Sequence, residues 1–174
     1  DRIVSVGMFE HVGAGHYQAY FQKIKDLLTE DGVALLHTIG RSGRPSSTDA
    51  WIRKYIFPGG SIPTLSDTTP AIENAGLVVT DIEYLGRHYA ETLCLWQHNF
   101  QSNRDKVREI YDETFCRMWE YYLAGSEASF RYLGLTVFQI QLARRHDVVP
   151  MTRNYIAETE TELKNPKSDS VRAA

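Results

Sequence analysis

The sequence is short of cysteine, of long apolar runs and of any excess of one charge, and each shortage removes a class of protein. Its 2 cysteines, Cys94 and Cys116, make neither a disulfide framework nor a zinc pattern. They read as two buried free thiols in a reducing compartment. No stretch is long and apolar enough to span a membrane, and no signal peptide is recognisable. Lys and Arg number 19 against 22 Asp and Glu, a net charge of −3, which is not the basic footprint that a nucleic-acid backbone requires. A nucleophile elbow, a Walker loop and a CxxC pair are all missing. The 6 histidines include His11 and His16 but join no Cys or Asp cluster at ligand spacing, so no metal site is expected. What is present, 174 residues with 43% hydrophobic and 24% charged, suits one globular domain with a sizeable core.

Along the chain, Asp1–Val6 reads as a short buried strand already under way at the first residue, as if cut from something longer. A loop over Gly7–Gly13 follows. Tyr17, Tyr20, Phe21, Ile24, Leu27 and Leu28 then make one apolar helical stripe. Asp31-Gly32 ends it, and Val33–Thr38 is a continuous apolar run fit for a strand buried on both faces. Strand, helix and strand in succession form a parallel α/β unit. Residues 40–70, with Gly40, Gly43, Gly59, Gly60 and prolines at 45, 58, 63 and 70, read as an irregular insertion holding one short helix near Asp49–Phe57. A helix over Thr69–Ala75 stops at Gly76, and Leu77–Tyr84 is the next strand. Tyr89, Leu93, Trp96 and Phe100 mark another helix. A further helix, capped by Ser102 or Asn103, carries Val107, Ile110, Phe115, Met118, Tyr121 and Tyr122 inward and ends at Gly125. A short helix over Ala128–Leu133 precedes an alternating strand over Leu135–Leu142. From Glu158 to Ala174 the chain reads as a solvated polar tail. The expectation is an α/β fold: half of a doubly wound sheet plus a closing strand.

Chemistry is concentrated at the strand ends. Gly13-Ala14-Gly15 lacks the third glycine of a dinucleotide loop and is better read as a turn. Glu10 and His37 each follow the carboxyl end of a predicted parallel strand, the edge at which open α/β sheets bind ligands. Tyr89, on the inward stripe of a later helix, adds a phenol. Each of the three also has a plainer reading, as a surface charge, a structural histidine or a core aromatic.

At these residues the sequence resembles the cyclopropane-fatty-acyl-phospholipid synthases and the related mycolic acid cyclopropane synthases. The likeness runs through Asp1–Gly13, His37-Thr38-Ile39-Gly40, Trp51–Gly60, Tyr89–Leu93, Arg117–Leu123 and Val149–Arg153, leaving out only the tail after about residue 157. Residues 1–157 would then be the carboxyl-terminal part of a Rossmann-like class I methyltransferase sheet, with a helical insertion at 40–70 and a final antiparallel strand. The resemblance implies S-adenosylmethionine-dependent methylation of a cis double bond in a phospholipid acyl chain, closing a cyclopropane ring with bound bicarbonate as base. Glu10, His37 and Tyr89 match the family's bicarbonate-holding side chains, and Ile39 the residue offering its backbone N–H. Bicarbonate has acceptor oxygens for His37, Tyr89 and the Ile39 amide, and one hydroxyl to donate to Glu10.

Val6 and Gly7 match the part of the family that passes near the cofactor. The family's glycine-rich cofactor loop, its following acid and a further bicarbonate-contacting cysteine are expected upstream of Asp1, so this chain alone is expected to be inactive. The implied partners are an unsaturated phospholipid and the membrane surface, with no nucleic acid, and the implied assembly is a homodimer. The implied location is cytoplasmic, peripheral at the inner face of the membrane. Trp51, Tyr55, Ile56 and Phe57 beside Arg53 and Lys54 suit a membrane boundary, although a core-packed insertion with two solvated charges fits equally. The competing readings are a related methyltransferase acting on a small-molecule amine, and a non-catalytic fragment serving as a binding module.

Overall fold

Three strands running one way and a fourth running against them make the sheet. The computed structural model describes residues 1–165. β1 (Arg2–Val6) pairs in parallel with β2 (Val33–Arg41) across α1 (Tyr17–Leu27), the unit that the apolar pattern predicts. After α2 (Ala50–Tyr55) and α3 (Leu65–Asn74) comes β3 (Val78–Tyr84). Then α4 (His88–Ser102), α5 (Arg104–Ile110) and α6 (Glu113–Tyr132) lead to β4 (Leu135–Ala143), and α7 (Asn154–Lys164) follows. β4 slots between β2 and β3, antiparallel to both, giving the order β1-β2-β4-β3.

Alternation along the central strands feeds two cores, one on each face. Leu36, Phe138, Ile140 and Leu142 pack with Phe21, Ile24, Leu28 and Ile72 of the α1–α3 side. Val137, Ile39 and Leu135 pack with Leu93, Phe100, Leu123 and Phe130 of the α4–α6 side. Burying each such large side chain contributes roughly 1.5–3 kcal/mol. Local signals set several boundaries. Asp49 caps α2 through the N–H groups of Trp51 and Ile52. Gly76, at φ 69°, takes the left-handed position that stops α3.

Several expectations need correction. β1 is not buried: Val4 and Val6 are 66% and 63% exposed, because α1 covers only the opposite face of that strand. Leu27 is 62% exposed while Leu28, one residue on and turned about 100° round the helix axis, is buried. α3 starts at Leu65 rather than Thr69, since Thr64 and Asp67 form a reciprocal capping box. The irregular segment therefore spans 42–64. Asn103 does not cap α5; its side-chain amide donates to the Asn99 carbonyl instead. The expected helix ending at Gly125 is in fact two. It breaks at Tyr111-Asp112, where Asp112 caps α6 by accepting the Phe115 N–H at 2.7 Å. α6 then runs straight through Gly125, whose helix penalty of about 1 kcal/mol is outweighed by burial of Leu123 and Phe130. Ile110 and Tyr121, expected inward, are exposed. Cys116 is buried but Cys94 lies on the solvent side of α4. The expected tail from Glu158 is helical up to Lys164, and residues 166–174 of it lie outside the described residues. Tyr155 and Arg153 tie the start of α7 to Gln141 and Asp81.

Candidate active site

The site begins where β1 gives out. Val6 is the last residue of β1 to pair with β2, opposite His37, and the Gly7 N–H donates to the His37 carbonyl at 3.1 Å. The backbone then turns away at Gly7, with φ 67°. Had β1 continued, the Ile39 N–H would have met the next carbonyl of the ladder, so it needs another acceptor. Glu10 supplies it: Oε1 accepts the Ile39 N–H at 2.6 Å. A single 3₁₀ turn, Phe9–His11, fixes that reach by burying Phe9 completely. The Phe9 ring stacks on Tyr17 at 4.3 Å and leans on Tyr20 and Phe21. The Glu10 carbonyl also accepts the Ser61 N–H at 2.8 Å. The carboxylate is held at one oxygen only. Oε2 is buried, and among the described residues none donates to it.

Around this carboxylate opens a cavity of about 670 Å³, largely apolar, bounded by the 48–62 segment, α4 and α6. Gly7, Glu10, Ile39 and Tyr89 all line it. Tyr89, in the first turn of α4, is seated against Phe130 and Trp96. Burial raises its phenol above the ordinary tyrosine range, and the Glu10 carboxylate raises it further. Tyr17 and Tyr20 are raised in the same way, by burial first and with Glu10 contributing. Tyr122 is raised by burial and then by Tyr89. The Glu10 carboxylate thus has around it the phenols of Tyr17, Tyr20 and Tyr89, which keep their protons, and among the described residues none donates to Oε2.

Two expected residues stand apart from the cavity wall. His37 lies on β2 with Nδ1 3.1 Å from the Gln139 Nε2. With that amide donating, Nδ1 is the acceptor and the imidazole proton sits on Nε2. Val6 is exposed and does not line the cavity. Tyr122 and Arg41 do line it and were not singled out from sequence. The available signals were a hydroxyl within an apolar helix stripe and a cation closing an apolar strand.

The orphaned Glu10 oxygen and the protonated Tyr89 fit a small oxyanion that carries one hydroxyl, such as bicarbonate. The Ile39 N–H is already engaged by Glu10, so a bound ion would share it. For S-adenosylmethionine, Gly7 offers bare backbone with open space where a Cβ would stand, and Val6 an apolar edge. Those two residues alone supply no group for a ribose or a carboxylate.

An α/β sheet with an antiparallel strand slotted between two strands of the opposite sense is the class I methyltransferase arrangement shared with the solved structures that this chain matches. The chain belongs to the mycolic acid cyclopropane synthetase family, whose model matches residues 1–140. It is 38% identical over 144 residues to the cyclopropane-fatty-acyl-phospholipid synthase of Escherichia coli K12, covering 83% of this chain and 37% of that protein. Against the tuberculostearic acid methyltransferase of Mycobacterium tuberculosis the identity is 41% over 152 residues, covering 83% of this chain and 35% of the relative. The solved cyclopropane synthase MmaA2 of Mycobacterium tuberculosis superposes with a TM-score of 0.77 at 33% identity, over 82% of this chain and 55% of that one. The chain therefore spans little more than a third of these two curated relatives.

Proposed function

We propose that the protein carrying this chain transfers a methyl group from S-adenosylmethionine to a cis double bond of an unsaturated phospholipid acyl chain and closes a cyclopropane ring. When bound, S-adenosylmethionine supplies the methyl group and bicarbonate supplies a base. The observation that carries the reading is the Glu10 carboxylate, clamped at one oxygen, orphaned at the other, and facing a largely apolar cavity of about 670 Å³. An acyl chain needs such a dry route, and an alkene offers nothing else to bind. The names of the relatives, synthases and methyltransferases, favour an enzyme over a non-catalytic module.

Each residue has a part. Glu10 Oε2 accepts a hydrogen bond from the ion's hydroxyl and so orients the ion. Tyr89, held protonated, donates to an anionic oxygen. His37, oriented by Gln139 at the β2 end just behind the cavity wall, is the third donor assigned to the ion. The apolar walls exclude water that would compete for a developing cation.

The surface reading is part of the proposal. Among the described residues no helix is long and apolar enough to cross a membrane. α2 carries Trp51 and Ile52 on the cavity wall, while Lys54 stacks over the Tyr55 ring at 4.7 Å. Aromatic edges with adjacent cations suit peripheral contact at the cytoplasmic lipid face.

Incubation of the intact protein with S-adenosylmethionine and a dioleoyl phospholipid tests it. The lipid should gain one CH₂ per modified double bond and lose the matching olefinic proton signals. Transfer to an amine panel with no change in the lipid would overturn the reading.

A further inference from the structure

The cavity wall holds a cation that no other group among the described residues answers. Arg41 closes β2, two residues beyond Ile39 and on the same side of the strand, so its Cα lies about 7 Å further along. Arg41 is half-buried and contributes to the cavity lining, and its Nε is buried without an acceptor among the described residues. Among the described residues no carboxylate lies within 4.0 Å of it. The two acids on the same wall are already engaged. Glu10 holds the Ile39 N–H, and Asp49 Oδ1 takes the N–H groups of Trp51 and Ile52 at 2.9 and 3.2 Å. A buried Nε–H without an acceptor is costly, and an incoming anion removes that cost.

Arg41 also stands beside an exposed part of the cavity lining. Its strand partner is Leu135, and Leu133, which lines the same cavity, is 64% exposed. Glu10 and the apolar wall lie inward of it along β2. We propose that Arg41 holds the phosphate of the substrate's headgroup at the cavity mouth, so that the acyl chain is threaded inward toward Glu10. The planar fork of a guanidinium matches phosphate oxygens in a way that an ammonium does not. This inference rests on the lipid-substrate reading above and adds to it a specificity-determining residue.

Equilibrium binding of the intact protein to dioleoylphosphatidylcholine and to dioleoylglycerol, each dilute in micelles of a neutral detergent, is the test. The two lipids share their acyl chains and differ in the phosphate-bearing headgroup. The parent should hold the phospholipid at least about 10-fold more tightly. Arg41→Gln should weaken phospholipid binding by about 10- to 100-fold, with dioleoylglycerol within about twofold of the parent. Arg41→Lys should recover part of the preference, which keeps the test decisive if the Gln variant melts early. An unchanged lipid ratio in Arg41→Gln, or equal losses for both lipids, overturns the assignment while leaving the acyl-chain reading standing. Failure of the parent to bind either lipid overturns both. Inorganic phosphate, followed by phosphorus NMR, is the third probe. Arg41-dependent phosphate binding by a parent that shows no preference between the lipids would make the occupant a free oxyanion and overturn the headgroup.

Discussion

Replacing Glu10 with Gln should leave the fold as stable as the parent's, or more stable, while removing most of the turnover. The Gln carbonyl can still accept the Ile39 N–H that Oε1 holds at 2.6 Å, giving up only charge assistance, about 1 kcal/mol. Against this, the second carboxylate oxygen is buried without a donor. Relieving an uncompensated anion there returns roughly 1–3 kcal/mol, and the surrounding phenol oxygens can accept from the new amide. The net is about 0–2 kcal/mol in favour of the variant, a Tm between unchanged and roughly 4–8 °C higher for a domain of this size. Loss of the group that orients the base should meanwhile lower kcat by about 10²–10⁴-fold. Glu10→Ala behaves differently: it strands the Ile39 N–H and costs about 1–3 kcal/mol, so stability and activity fall together. Melting followed by circular dichroism, paired with turnover measured under bicarbonate depletion and restoration, separates these cases. A Gln variant that melts several degrees lower and loses activity in proportion would refute the argument, as would one that turns over at the parent rate. A parent indifferent to bicarbonate removal would refute the ion but leave the carboxylate's role intact.

Three further outcomes are expected. Tyr17, Tyr20, Tyr89 and Tyr122 all have raised folded-state values, chiefly through burial. Above a pH of about 10 the unfolded chain therefore sheds protons that the folded one keeps, and stability falls as pH rises from there through the folded values. Melting from pH 8 to about 11.5 should show this alkaline loss, with a shallower slope in Tyr122→Phe; an identical slope refutes it. Charge reversal at Arg53 and Lys54 should weaken binding to anionic vesicles at low salt by at least about 10-fold in a sedimentation assay, and unchanged binding would remove α2 from the docking surface. Gly40→Ala would drive a Cβ into the edge of the buried Phe138 ring, so denaturant unfolding should show a loss of about 1–3 kcal/mol, and a neutral result would mean that the ring yields freely.

Much of the fold was legible because it rests on neighbours in the chain. The stripe through Tyr17, Phe21, Ile24 and Leu28, the apolar run beginning at Val33 and the stop at Gly76 are local facts, and they return as α1, β2 and the end of α3. The edge position of Glu10 was legible too, since a residue following a parallel strand must emerge at the ligand-binding edge. Local pattern failed where packing overrules propensity. Gly125 reads as a terminator, yet α6 passes through it because Leu123 before it and Phe130 beyond it are buried. Exposure of Val4 and Val6 depends on which face of β1 receives a helix, and no periodicity within five residues reports that. The site itself was half legible. Composition and order along the chain determined the strands, the helices and the acid and phenol available to them. Only the tertiary structure decided that β4 enters between β2 and β3, which brings Gln139 to His37 from 102 residues away. The clamp of Glu10 on Ile39 and the placing of Tyr122 and Arg41 on one cavity wall were decided there as well. The reason is physical: periodicity encodes which face of an element is apolar, whereas partners are chosen by strand register and by close packing between segments that the sequence holds far apart.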